Sequence, residues 1–211
     1  MGFKILKLKL GGHQDPDLIR AVRRVFKGKL QVDANGGWTP AGARRILPLL
    51  RREKVFLIEQ PFGRGNLAAT QRFAASCPIP VFLDEDVHRA ADIPRLRGVC
   101  AGVNLKLMKT GGIRPALHAI HTARFHGLEV MLGCMTESSV AVTAAAHLAA
   151  LCDYLDLDGN LLLANDPYVG VRCERGGRLV LPKSPGLGVR FRFPSPSRER
   201  VRVRGTPRTS G

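Results

Sequence analysis

Leu30-Gln31-Val32-Asp33-Ala34-Asn35, Leu57-Ile58-Glu59-Gln60-Pro61 and Val81-Phe82-Leu83-Asp84-Glu85-Asp86 are three short apolar runs, each running into carboxylates or amides at its end. Their leading acids, Asp33, Glu59 and Asp84, lie 26 and 25 positions apart. A buried strand, a loop, a helix and a second loop together take roughly 25 residues. Acids repeating at that interval therefore occupy equivalent positions in successive βα units. If the strands are parallel neighbours, the three carboxylates converge on one face of the sheet, the face where (β/α) barrels build their sites. Converging carboxylates repel unless a cation sits among them, and oxygen-only donors suit a hard ion, Mg²⁺ or alternatively Mn²⁺. Taken singly, each acid could instead cap the helix after its strand; three in register favour a shared cation.

Outward from these runs the same unit recurs. Phe3 to Leu10 closes with Lys7-Leu8-Lys9-Leu10, a period-two pattern that reads as a strand with both lysines on one face. Helices are expected over 15–26, over 41–52 after the cap Thr39-Pro40, over 67–76, over 90–96, over 115–125 and over 140–151. Pro48 predicts a kink or an early end to the second of these. Further strands are expected over 102–107, 128–132 and 154–158. The strand ends then fall at Lys9, Asp33, Glu59, Asp84, Lys106, Met135 and Asp158, at intervals of 24, 26, 25, 22, 29 and 23. Seven βα repeats predict an α/β fold, a TIM-like (β/α) barrel one unit short of the eight that close such a barrel. The missing unit is expected at the N-terminus, because the sequence opens directly on a strand.

Composition narrows the function classes. The chain has 211 residues with 45% hydrophobic content, ample for a core. No long apolar run suggests a membrane span, and the lysines at positions 4, 7 and 9 break up any signal-peptide core. Five scattered cysteines, never in CxxC spacing, read as reduced thiols of a cytoplasmic protein. Net charge is +16, concentrated in part from Arg190 to Gly211, where seven arginines face the single acid Glu199. The segment is rich in Pro and Ser and reads as a basic, disordered tail over 190–211 behind a catalytic unit over 1–189. Its alternations Arg190-Phe191-Arg192-Phe193 and Arg200-Val201-Arg202-Val203-Arg204 would form brief strands only if something paired with them. It contains no nucleic-acid recognition module, so specific nucleic-acid binding is not expected.

Two lysines on strand ends either side of the acids suggest a reaction. A cation that binds a substrate carboxylate stabilises the enediolate formed when the α-proton leaves. With a lysine on each face, the proton leaves one side and returns on the other. Lys9 and Lys106 are the expected pair, with Lys7 in electrostatic support and Lys109 either a loop residue or one that stands just behind the groups lining the site. A free lysine, with a pKa of about 10.4, is a poor base; burial and nearby positive charge are expected to lower it.

The set Lys7-x-Lys9, Asp33-Ala34-Asn35, Glu59-Gln60-Pro61, Asp84-Glu85, Asn104-x-Lys106-x-x-Lys109-x-Gly111-Gly112 and Pro185-Gly186-Leu187-Gly188 resembles the muconate-lactonizing subgroup of the enolase superfamily. Sites of that superfamily use a lysine or histidine base with Mg²⁺. The resemblance implies that Asp33, Glu59 and Asp84 bind Mg²⁺ and that Lys9 and Lys106 are the two acid/base catalysts. Asp156-Leu157-Asp158 resembles the Asp-x-Asp of dipeptide (L-Ala-D/L-Glu) epimerases, which implies a carboxylate pair on the α-ammonium of an Ala-Glu-type substrate. Met135-Thr136-Glu137 resembles the same branch and implies that Met135 and Glu137 shape the substrate pocket. The implied activity is a racemase or epimerase reaction, an isomerase in class. The alternatives are another member of the subgroup, a cycloisomerase or o-succinylbenzoate synthase, and a non-catalytic barrel fragment that needs a partner chain. Family members carry an N-terminal α+β capping domain and a first barrel unit before the Lys-x-Lys strand. The sequence is therefore expected to be a truncated form, with a homo-oligomer or a complementing N-terminal segment as its partner.

Overall fold

In the computed structural model, which describes residues 2–192, seven parallel strands form one sheet in the order β1 to β7. They are β1 (Ile5–Lys9), β2 (Lys29–Asp33), β3 (Val55–Glu59), β4 (Val81–Leu83), β5 (Gly102–Lys106), β6 (Glu129–Gly133) and β7 (Tyr154–Asp156). Between them run α1 (Asp15–Val25), α2 (Pro40–Arg52), α3 (Leu67–Ala74), α4 (Leu107–Thr110), α5 (Ile113–Phe125) and α6 (Ser139–Ala146). Sequential strands lying side by side in parallel are what repeated right-handed βα crossovers produce.

Burial on both faces explains why β3 and β4 read as nearly continuous apolar runs. Outward-facing Leu30, Val32 and Ile58 pack with Ile19 of α1, Leu50 of α2 and Phe73 of α3 in one layer. Val103, Leu105, Val130 and Leu132 pack with Ile120 of α5 and Val142 of α6 in another. The inward faces meet in a small cluster of Leu57, Phe82 and Met131, against which Tyr154 stacks edge-on over Phe82 with ring centroids 5.4 Å apart. Gly102 is required here, because a Cβ at that position would lie 2.4 Å from the Phe82 ring.

The sheet curls but does not close. Among the described residues β1 pairs only with β2 and β7 only with β6. Even so, the Lys7 ammonium on β1 reaches Asp156 Oδ2 on β7 at 2.7 Å, so the two edges face each other across a seam. Ile5 and Leu155 are exposed along it. The architecture is the seven-unit partial barrel expected from the strand count.

Several local expectations need correction. The helix expected over 90–96 is two 3₁₀ turns, Ala90–Asp92 and Pro94–Leu96, because Pro94 has no N–H to donate to the Ala90 carbonyl and continue an α-helix. Pro48 neither ends nor shortens α2: the bond it forfeits is to the carbonyl of Arg44, an exposed residue whose carbonyl water can satisfy. The last helix stops at Ala146 and a separate 3₁₀ turn covers Ala149–Leu151. β7 ends at Asp156 instead of Asp158, which stands immediately before the 3₁₀ turn Gly159–Leu162 and makes no side-chain capping bond to it.

Beyond the barrel, β9 (Arg172–Cys173) pairs with β10 (Leu179–Val180), and β8 (Tyr168–Val169) pairs antiparallel with β11 (Arg190–Phe191). The tail expected from position 190 thus begins inside a ladder, with Val169 and Tyr168 as the pairing partners of Arg190 and Phe191 and the Tyr168 and Phe191 rings in edge contact. The rest of that tail, 193–211, lies outside the described residues. All five cysteines are free. No helix among the described residues is long and apolar enough to cross a membrane.

The cap of α2 gives a local test. Thr39 Oγ1 accepts a hydrogen bond from Gly42 N at 3.0 Å, and Pro40 occupies the first helical position. Thr39→Ala is expected to lower stability by about 1 kcal/mol in urea unfolding, with the m-value unchanged.

Candidate active site

The three acids do converge. Asp33, Glu59 and Asp84, at or just past the ends of β2, β3 and β4, are buried, and one oxygen of each lies within 4.8 Å of the others. Strand register explains this: Lys9 is opposite Asp33, and Asp33 is opposite Glu59. Three hard oxygen donors at such separations match what a divalent cation of the Mg²⁺ or Mn²⁺ type requires.

Four lysines surround the cluster. Lys7 Nζ lies 2.8 Å from Glu59 Oε2, 3.2 Å from Asp33 Oδ2 and 2.7 Å from Asp156 Oδ2. Lys9 Nζ donates to Asp33 Oδ2 at 2.6 Å from the other side, and its side chain is 61% exposed. Lys106 Nζ donates to Asp84 Oδ2 at 2.6 Å, with a side chain only 7% exposed. Lys109 also donates to the Asp84 carboxylate and to the Asn104 carbonyl at 3.0 Å. Its contact with Asp84 places it directly behind the acid cluster, the nearer of the two positions expected from its sequence.

Burial and charge oppose each other at these groups. Burial pushes the Glu59 carboxyl up to about 7, although Lys7 works the other way. At Asp84 the neighbouring Lys109 and Lys106 overcome burial and hold the carboxyl below its ordinary value. Burial disfavours the Lys7 ammonium, but Glu59, Asp156 and Asp33 more than offset it and the pKa rises. Lys106 behaves likewise: burial would lower it, yet its pairing with Asp84 raises it. That corrects the expectation of a lowered Lys106. The lysine that burial does lower is Lys109, helped by the charge of Lys106. A cation taken up by Asp84 would compete with Lys106 for that carboxylate and reverse the local balance.

The remaining expected residues divide. Asp156 enters the site through its bond to Lys7. Asp158 lies exposed on the same seam, lining a cavity of about 430 Å³ together with Lys7, Gln31 and Asp156. Partial desolvation of the carboxyl at the cavity wall and the nearby Asp156 push it up. Met135 is 45% exposed with its sulfur 3.9 Å from Lys106 Nζ, so it borders the site. Glu137 is buried, and its carboxylate accepts from the Met135 N–H at 2.8 Å, so it holds the loop carrying Met135.

Sequence reading assigned no role to three buried amides that the fold brings in. Gln31 Nε2 donates to Glu59 Oε2 at 3.0 Å, and Asn104 Nδ2 donates to Glu59 Oε1 at 2.7 Å, so both oxygens of that carboxylate are oriented. Gln60 binds the backbone of Asp84 and Glu85. A signal for the first two was present: Gln31 and Asn104 each sit two residues before a strand-end site residue, on the same face of the strand.

The family model described as "Enolase C-terminal domain-like" matches residues 1–195. An L-Ala-D/L-amino acid epimerase of Pedosphaera parvula is 43% identical over 194 residues, covering 90% of this chain and 56% of that protein. An L-Ala-D/L-Glu epimerase of Bacteroides thetaiotaomicron is 39% identical, with 89% and 49% covered. Among solved structures, a dipeptide epimerase from Cytophaga hutchinsonii complexed with Mg and D-Ala-L-Val superposes with a TM-score of 0.83 at 34% identity, covering 90% of this chain and 54% of that one. A muconate lactonizing enzyme superposes with a TM-score of 0.82 at 29% identity, with 90% and 56% covered. The chain thus spans about half the length of the relatives it matches.

Proposed function

Because the chain belongs to the enolase C-terminal domain-like family, we propose that it carries the catalytic face of a Mg²⁺-dependent dipeptide epimerase, acting on the α-carbon of an Ala-Glu-type substrate. The observation that supports this most is the placement of two lysines about one carboxylate cluster. Lys9 and Lys106 arise from β1 and β5, which bracket the three acid-bearing strands, and each ammonium contacts a different acid of the cluster. Asp33, Glu59 and Asp84 would hold the cation. When bound, the cation supplies positive charge to the substrate carboxylate and so acidifies the adjacent C–H bond. One lysine, as the neutral amine, takes the α-proton as that bond breaks; the other, as the ammonium, delivers a proton to the opposite face. Lys7 contributes positive charge from beneath the cluster, held as an ammonium by Glu59, Asp156 and Asp33. Asp156 and Asp158 would receive the substrate's α-ammonium, and Met135, positioned by Glu137, would border its side chain.

The carboxylate pair separates this reading from a cycloisomerase, whose substrate has no ammonium to place there. Asp158→Asn is expected to lower kcat/KM for L-Ala-L-Glu about tenfold or more, mainly through KM, as the loss of one charge-assisted hydrogen bond would. An N-acetylated dipeptide should be poor with both proteins, to similar extents. Equal kcat/KM values for Asp158→Asn and the unaltered chain on the free dipeptide would remove the ammonium assignment.

One observation favours a second reading, a barrel that works only with a partner. Among the described residues β1 and β7 are each paired on one side only, and Ile5 and Leu155 lie exposed between them. An added strand, from a complementing segment or a second copy, would cover that apolar seam and satisfy both edges. Under this reading α-proton exchange by the chain appears only when such a partner is supplied.

A further inference from the structure

Gln60 follows the second cluster acid directly and is completely buried. Its backbone sits at φ +37°, in the left-handed region that a side chain normally avoids. Its main chain spans three strands: Gln60 N donates to the Phe82 carbonyl at 2.8 Å, and its carbonyl accepts from Gly36 N at 2.8 Å. Its side chain is fully used. Oε1 accepts from both Asp84 N (2.9 Å) and Glu85 N (3.0 Å), while Nε2 donates to Asp86 Oδ2 (2.8 Å) and the Phe62 carbonyl (2.9 Å). Asp86 is itself buried, and its other oxygen accepts from Gly65 N at 2.8 Å.

Asp84 lies one residue past the end of β4, where no ladder hydrogen bond fixes it. The amide oxygen of Gln60 takes the Asp84 N–H in place of a ladder partner, while Val87 N and Lys109 Nζ donate to the Asp84 carbonyl. We propose that Gln60 is the positioning residue of the cation site, acting through the Asp84 and Glu85 N–H groups and oriented by Asp86. This rests on the cation site proposed above. The strained backbone at Gln60 agrees with such a role, because strain of this kind persists where surrounding bonds over-determine the chain. Partners one step behind a metal ligand typically change affinity 10- to 100-fold when removed, on the order of what is expected here.

The test uses the full chain and Mn²⁺, followed by electron paramagnetic resonance of free Mn²⁺, with melting temperatures measured in EDTA. Gln60→Met fills the same space without the four hydrogen bonds and should weaken Mn²⁺ binding about tenfold or more. Gln60→Glu keeps both acceptor bonds but sets a carboxylate against Asp86 and the Phe62 carbonyl, and it should weaken binding similarly. In the double variant Gln60→Glu with Asp86→Asn, the amide of residue 86 donates to the new carboxylate, which still accepts from Asp84 N and Glu85 N. Binding should recover in large part relative to Gln60→Glu alone, with the Phe62 carbonyl still lacking its donor, even if melting temperature does not recover. A role confined to stability would move melting temperature and affinity together and would show no such recovery. Unchanged affinity in Gln60→Met, or no recovery in the double variant, overturns the inference and leaves the cation site standing. If the unaltered chain binds no Mn²⁺, the cation site itself fails and this inference with it.

Discussion

Replacing Lys106 by alanine should reduce epimerisation of L-Ala-L-Glu about a thousandfold, within the range that removing a positioned general acid or base produces. The side chain is buried and bonded to Asp84, so no solvent-borne base can take its place at that face. Lys9 lies on the opposite flank of the cluster and keeps its own contact with Asp33. The variant should therefore retain α-proton exchange for whichever epimer presents its hydrogen to Lys9, without converting it to the other. Exchange and epimerisation that both persist in Lys106→Ala would reject the two-lysine assignment. The readout is proton NMR in D₂O, comparing exchange with interconversion for each epimer separately. Melting temperature should change little in comparison, because a lysine–aspartate pair is lost from a cluster that retains Lys109 on the same carboxylate.

Phe82→Ala should be the most destabilising single change at the inner face, by about 3–5 kcal/mol in urea unfolding. Against a typical total of about 5–15 kcal/mol, that removes a large part of the stability of the domain. Phe82 is fully buried and packs with Leu57 and Met131. Its ring meets Tyr154 edge-on and closes over Gly102, where only a glycine fits. The cavity cannot collapse easily, because its walls are sheet backbone tied by ladder hydrogen bonds on both sides. A loss below 1 kcal/mol would mean that the inner layer does not pack as described. Phe82 also lies two residues before Asp84 on the same face, so its loss should loosen the floor of the three-carboxylate cluster as well as the fold.

Much of this was legible in the sequence because it depends on spacing. Asp33, Glu59 and Asp84 announce both the repeating βα unit and their own convergence, since parallel neighbours in register bring equivalent positions together. Lys9 and Lys106 follow from the same count. What spacing cannot convey is which groups pair across the sheet. Gln31, Gln60 and Asn104 are uncharged, and each owes its role to a partner 24 to 45 positions away. Lys106 and Lys109 both approach Asp84, yet burial, offset by Asp84, leaves the Lys106 pKa raised, while burial, with the charge of Lys106 added, leaves that of Lys109 lowered, a balance the sequence does not display. The misplaced helix over 90–96 turned on one missing N–H at Pro94. The two-residue strands between Tyr168 and Phe191 are too short to carry any period. Asp156 and Asp158 look alike in sequence, yet only Asp156 is bonded to Lys7, and the other stands immediately before a turn on the seam.

The central claim is that one face of this partial barrel couples a three-carboxylate cation site to proton transfer by lysines on either side. It is tested most directly by following the α-proton signals of L-Ala-L-Glu in D₂O with the purified chain, with Mg²⁺ and then with EDTA. The account predicts that deuterium enters the α-position of the dipeptide with Mg²⁺ present, that the D-Glu epimer accumulates with it, and that both stop in EDTA and resume when Mg²⁺ is restored. Folded protein that binds Mg²⁺ but incorporates no deuterium, with or without a strand-complementing partner, would contradict it; so would incorporation that EDTA leaves untouched.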